Sequence, residues 1–464
     1  MRTPPRPLLV LLLALDMLAF PIGAGATHAT DPHSQNFHAL GESFEPASFL
    51  EPPPLRINSD LAFWGRLAFE GSYDGFRIID ISAPGNPKEI ADVACNGNQG
   101  DVAVWGNIVV RAVDRPQRLP NNDLSRACEG VDTDAVVHET GFEGLQIFKI
   151  DDPRSASVAN LVAAVPTDCG AHTHTLVPDL ARNRLIVYVS TAGSATFAGP
   201  TPYGTSCAAV HPKIVAVEIP LASPAAARVI NNNIPASERG CHDVAVHVGI
   251  RPPLLVGACR PEAVVWDISD PANPVRLYGV PHPVTGGTWH SASLTWDGKL
   301  FIVGWEPGGG SQPRCQATGA DLGGGLVQTD EMKSLFFYLA ANGAPLGRWT
   351  LPRPQSPAEN CTIHNYNVVP LRKRYVLVHG SYQSGTSVMD FTDPANAFEV
   401  AFTDPLPLVP TQLGGVWSSY WYNGLMYESD ITTGLRVYNL SDRVTAGARK
   451  LDHLNPQTQE IVIE

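Results

Sequence analysis

The chain has 464 residues, 44% of them hydrophobic and 17% charged, with 41 glycines, 41 prolines and a formal net charge of −13. That length calls for two domains or one large repetitive fold, and the glycine and proline content suits an all-β protein with many turns. The negative charge and the lack of any Lys/Arg run exclude the clustered cations that a nucleic-acid-binding surface needs.

Residues 1–26 read as a secretory signal peptide. Arg2 and Arg6 form a positive start, residues 8–20 an apolar stretch interrupted by Asp16, and Ala24, Gly25 and Ala26 a small-residue cleavage site. No later stretch could span a membrane. The expectation is a secreted protein, extracellular or periplasmic, monomeric, with no membrane span after signal removal. Eight cysteines fit that address, and the absence of a CxxC pair argues for disulfides over a zinc–thiolate site.

After an extension at 27–58, the chain repeats itself. "GFRIIDISAPGNPKEIADVA" (75–94), "EAVVWDISDPANPVRLYGVP" (262–281) and "TSVMDFTDPANAFEVAFTDP" (386–405) share one unit: an apolar strand ending in Asp, a Pro/Asn turn and another strand. "GLQIFKIDDPRSASVANLVA" (144–163) and "TGLRVYNLSD" (433–442) are weaker copies. Each pair of strands follows another pair, so the unit is four short strands. Seven units fit, at about 59–94, 97–166, 172–236, 240–283, 288–355, 362–405 and 415–441. Insertions fall at 114–142, 192–212 and 306–330. The last unit shows three clear strands, and its fourth could come from 36–50 or from 446–454. Four-stranded meanders that bury their faces only against neighbours predict a seven-bladed β-propeller over 59–445, with a C-terminal tail at 446–464.

The motifs "FRIIDIS", "VVWDIS" and "LRVYNLS", followed by "DPANP"-type turns, resemble those of the LVIVD-repeat family of exported bacterial proteins. The second, third and fifth units depart from the pattern with "LQIFKID", "KIVAVEI" and "SLFFYLA". The resemblance implies a β-propeller and export, and little about activity.

In a propeller the first strand of each blade lines the central channel and starts at the top face, where the loop between strands two and three also lies. On that logic the cysteines pair within blades as 95–128, 169–207 and 241–259, and between neighbouring blades as 315–361. Swaps between adjacent blades are the alternative. His174, His242, His290 and His364 open strand one of four consecutive blades, with Gly100 and Trp417 at the matching positions of the second and seventh. These four are the candidate ligands for zinc, copper or iron at the channel mouth. Glu70, Glu306 and Glu428 end strand two on the same face and are the candidate catalytic carboxylates. His172 flanks His174, and His379 ends strand two of the sixth blade. The bland reading of the histidines is structural, with their nitrogens tying loops to the backbone.

No Walker motif, strand-linked GxGxxG or GxSxG elbow is present. Two functions remain. One is a metal-dependent oxidoreductase or hydrolase acting on a small molecule at the channel mouth. The other is a non-enzymatic surface module that recognises a protein, glycan or small ligand.

Overall fold

The computed structural model describes residues 31–47, 56–119, 121, 123–129, 131–132, 141–167, 169–191, 211–408 and 413–464. The signal-peptide segment at 1–26 and Cys207 lie outside these residues. No helix among them is long and apolar enough to cross a membrane.

The chain is an all-β propeller of four-stranded antiparallel blades. Seven such units are present among the described residues, their inner strands being Asn58–Trp64, Gln99–Trp105, Thr173–Asp179, Cys241–His247, Trp289–Leu294, Asn365–Val368 and Val416–Tyr422. Units six and seven join into one eight-stranded sheet because their inner strands pair in parallel, Asn365 with Ser418 and Tyr366 with Ser419.

The repeated motif has a local cause. The Asp that ends the third strand of the first, fourth and sixth units turns its carboxylate back onto the chain. Asp80 accepts from the Ser82 N–H, Asp267 from Ser269 and Asp390 from Thr392, at 2.9, 2.7 and 2.9 Å. In the turn that follows, Asp270 accepts from the Ala272 N–H and the Asn273 amide, and Asp393 does the same with Ala395 and Asn396. The repeated carboxylates therefore cap turns.

Inner strands are buried on both faces, as in Val416–Tyr422, whereas outer strands such as Lys88–Ala94 keep their polar side chains in water. The apolar faces meet between units. One cluster packs Ala62, Phe69 and Ile78 of the first unit against Val102 and Val109 of the second, and equivalent clusters follow around the ring. The circle closes where Tyr420 and Tyr422 of the seventh unit pack on Leu61 and Phe63 of the first.

The fourth strand of the last unit comes from the N-terminal side. Strand Phe37–Phe44 pairs antiparallel with Gly434–Leu440, and Phe37 stacks on Tyr438 with ring centroids 5.0 Å apart. The C-terminal tail instead runs across the lower end of the channel. His453 and Leu454 pair with the first inner strand, and Thr458 and Gln459 with the fourth. Between them the Asn455 side chain hydrogen-bonds both the N–H and the carbonyl of Val104 in the second. Sequence periodicity could not show this, because each pairing spans only two residues.

Candidate metal centre

Three disulfides sit at the upper face, Cys95–Cys128, Cys241–Cys259 and Cys315–Cys361. Cys169 is also disulfide-bonded, and its expected partner Cys207 is outside the described residues. Cys241 and Cys259 face each other in the first hairpin of the fourth unit, so their bond fixes the backbone that carries His242.

The imidazoles form a row along the mouth. Ring centroids are separated by 4.3 Å from His172 to His242, 4.0 Å from His242 to His290 and 4.4 Å from His290 to His364. The row contains His172 where the sequence alignment of units pointed to His174. The reason lies in the start of the third inner strand. The His172 N–H bonds the Ser190 carbonyl at 2.8 Å, which extends the strand one residue upward and places His172 at the mouth. His174, two residues further on, sits deeper, with its N–H on Asp101 at 3.0 Å and its Nδ1 3.2 Å from the same carboxylate.

The row stops at the second unit for a steric reason. Gly100 has φ +70°, and a Cβ there would lie 2.0 Å from the Ser72 carbonyl oxygen, so no side chain fits. At the other end His364 Nδ1 lies 2.6 Å from the Trp417 carbonyl oxygen and donates to it.

Of the three candidate carboxylates, the structure brings only Glu306 to the row. Its Oε2 lies 3.6 Å from His290 Nε2, and its Oε1 accepts from the Tyr382 hydroxyl at 2.7 Å. Glu70 is buried in an ion pair with Arg77 and accepts from Ser429 at 2.9 Å. Glu428 pairs with Arg436 at 2.9 Å and accepts from Thr386 at 2.6 Å. Both lie between blades and serve packing, because a buried arginine needs a carboxylate beside it. His379 is likewise removed from the row, with Ser381 Oγ 2.9 Å from its Nδ1 and its ring against Trp349.

His242, His290 and Glu306 each offer a ligand atom, and these atoms lie within 4.8 Å of one another. Loss of water contact holds the His242 and His290 cations well below the usual histidine range, and neighbouring imidazoles add to the effect. Both rings are therefore neutral at pH 7, the form that binds a metal. Burial pushes Glu306 up to about 7, against the hydrogen bond from Tyr382.

Two supporting groups complete the site, the first being His172, which the sequence places beside His174, with Asp114 behind it. His172 Nε2 lies 2.8 Å from His242 Nε2, and its Nδ1 lies 3.1 Å from Asp114, a carboxylate at the base of the second unit's insertion. Burial opposes the His172 cation, but Asp114 outweighs it and raises the group. An oriented carboxylate–imidazole chain behind a ligand is the usual support of a metal-binding histidine. Tyr382 is the second. It adopts φ +45°, a left-handed conformation costly for a bulky residue, while its buried ring packs on His364 at 4.7 Å and its hydroxyl holds Glu306.

Below the row the channel holds Asp60, Asp101 and Asp243, all buried. Burial and the Asp101 charge push Asp60 up to about 8, and its Oδ1 accepts from Tyr420 at 2.5 Å. Asp243 is likewise raised well above the carboxylate range, first by burial. Asp101 is held down by His174 despite its own burial.

No family model matches the chain, and no curated protein matches it. Solved structures similar to it include Raptor from Chaetomium thermophilum, at 8% identity and TM-score 0.49 over 86% of this chain. The chain spans 29% of that Raptor chain. The WD40 β-propeller domain of Doa1 is similar at 10% identity and TM-score 0.42, over 87% of this chain and 99% of that one. A putative 6-phosphogluconolactonase from Bacteroides fragilis is similar at 10% identity and TM-score 0.47, over 86% and 97%. These likenesses concern the fold alone.

Proposed function

We propose that this propeller is a secreted, metal-dependent enzyme with His242, His290 and Glu306 as its ligands. The observation that carries the reading is the convergence of these three ligand atoms within 4.8 Å at the mouth of the channel. Two imidazoles and one carboxylate leave coordination positions open for water and substrate, the pattern of catalytic rather than structural sites. Zinc in such a set activates water for hydrolysis, and iron supports oxidation. His364 closes one side of the site, and Asp114 with His172 orients His242. Three disulfides agree with an oxidising compartment, and the LVIVD-like motifs with an exported protein.

Metal analysis tests the reading. Purified protein should carry, or rebind after chelation, close to one equivalent of zinc or iron, and turnover of any substrate found should disappear with chelator. Partner capture that is indifferent to chelation, by a protein that holds no metal, would instead support a non-enzymatic recognition module.

A further inference from the structure

A cleft of about 210 Å³ opens beside the ligand triad and is lined by His242, His290 and Glu306 together with Arg239 and Arg260. The two arginines leave the ends of the hairpin that carries His242. The Arg239 N–H bonds the Arg260 carbonyl at 3.1 Å, and the Arg260 N–H bonds the Gly240 carbonyl at 3.0 Å. Immediately below, Cys241 is bonded to Cys259. The disulfide thus clamps both arginines at a fixed place relative to His242.

Other arginines near the channel have their donors used, Arg111 and Arg314 by backbone carbonyls and others by carboxylates. Arg77 and Arg436 have buried carboxylates, and Arg353 has Glu399. Arg239 and Arg260 both line the cleft and have no acidic partner within ion-pair distance among the described residues; Arg239 is exposed and Arg260 half-buried. Two guanidinium groups that border one cleft without a carboxylate beside them offer charge-assisted donors to an anion there. In a chain of net charge −13 this local pair has a specific use.

We propose that the cleft binds a small organic anion, a carboxylate or phosphate ester, gripped by Arg239 and Arg260 and presented to the metal. The inference rests on the metal reading for the orientation of the ligand, and the arginine pair supplies the grip.

Calorimetric titration of the disulfide-bonded protein with inorganic phosphate and with succinate tests it, in metal-loaded and metal-stripped samples whose metal content is measured. Metal-loaded wild type should bind one of the two probes. The R239A/R260A double variant should bind it at least tenfold more weakly with an unchanged melting curve and metal content, and R260K should retain part of the affinity. Absence of binding to metal-loaded wild type, or equal binding by the double variant, would overturn the inference. The two readings separate cleanly. Arginine-dependent binding by a protein that holds no metal sustains the anion cleft and removes the metal. A protein that holds metal but shows no arginine-dependent binding does the reverse.

Discussion

His290 Nε2 lies 3.6 Å from Glu306 Oε2. The inner hairpin of the fifth unit places both groups: Trp289 pairs with Trp305, the register shifts at His290 before Ser291 meets Gly304, and Glu306 follows Trp305 at the same end of the hairpin. A ring nitrogen and a carboxylate oxygen so placed can share one ion at ligand bonds of about 2.0–2.2 Å.

Tyr382 should matter through Glu306. In Tyr382→Phe the carboxylate loses its 2.7 Å donor while the packing on His364 stays. Metal affinity, measured by competition with a chromophoric chelator, is expected to fall about 10–100-fold. An unchanged affinity would show that the tyrosine only packs.

Glu70 and Glu306 should separate stability from metal binding. Glu70→Gln weakens the buried contact with Arg77, which keeps Glu89 at 3.2 Å, and is expected to cost about 1–3 kcal/mol in denaturant unfolding, with metal content unaltered. Glu306→Gln should lose the metal instead. If Glu70→Gln lost the metal while folding normally, the assignment of the carboxylates would be wrong.

How much of this was legible beforehand follows from what each residue does. The Asp-turn-strand repeat was legible because Asp80, Asp267 and Asp390 do the same local work in each unit. His242, His290 and Glu306 were legible because equivalent positions in a radial repeat converge on one place. The exchange of His174 for His172 was not, since both lie on one side of the strand and only a backbone bond to Ser190 decides which reaches the mouth. The tail was not, since its strand pairs are two residues long and the Asn455 amide that joins them has no period. Arg239 and Arg260 carry no sequence signal, because their meaning lies in the carboxylates they lack.

The tail should carry measurable stability. Asn455→Ala removes both hydrogen bonds to the buried backbone of Val104, and the expected loss is about 3 kcal/mol, read as a shift in the denaturant midpoint. No shift would mean that the tail can leave the channel at little cost.

His379 should make the fold acid-sensitive. Burial, with the nearby Arg353 charge, holds it down to about 3, against about 6.5 in the unfolded chain. Between these values the unfolded state binds the extra proton, so this contribution is complete above pH 6.5 and is lost progressively as the pH falls toward 3. From pH 7 to 5 wild type should lose about 2 kcal/mol relative to His379→Gln. Parallel stability profiles for the two proteins would refute the assignment.

The central claim is that His242, His290 and Glu306 hold one metal ion. Elemental analysis of wild type and of the H242A/H290A variant, each chelated and then reloaded with zinc or iron(II), addresses it most directly. The account predicts about one tightly held equivalent in wild type and at least a hundredfold weaker binding in the variant, with both proteins folded. Wild type that retains no metal, or a folded variant that binds it equally well, would contradict the account.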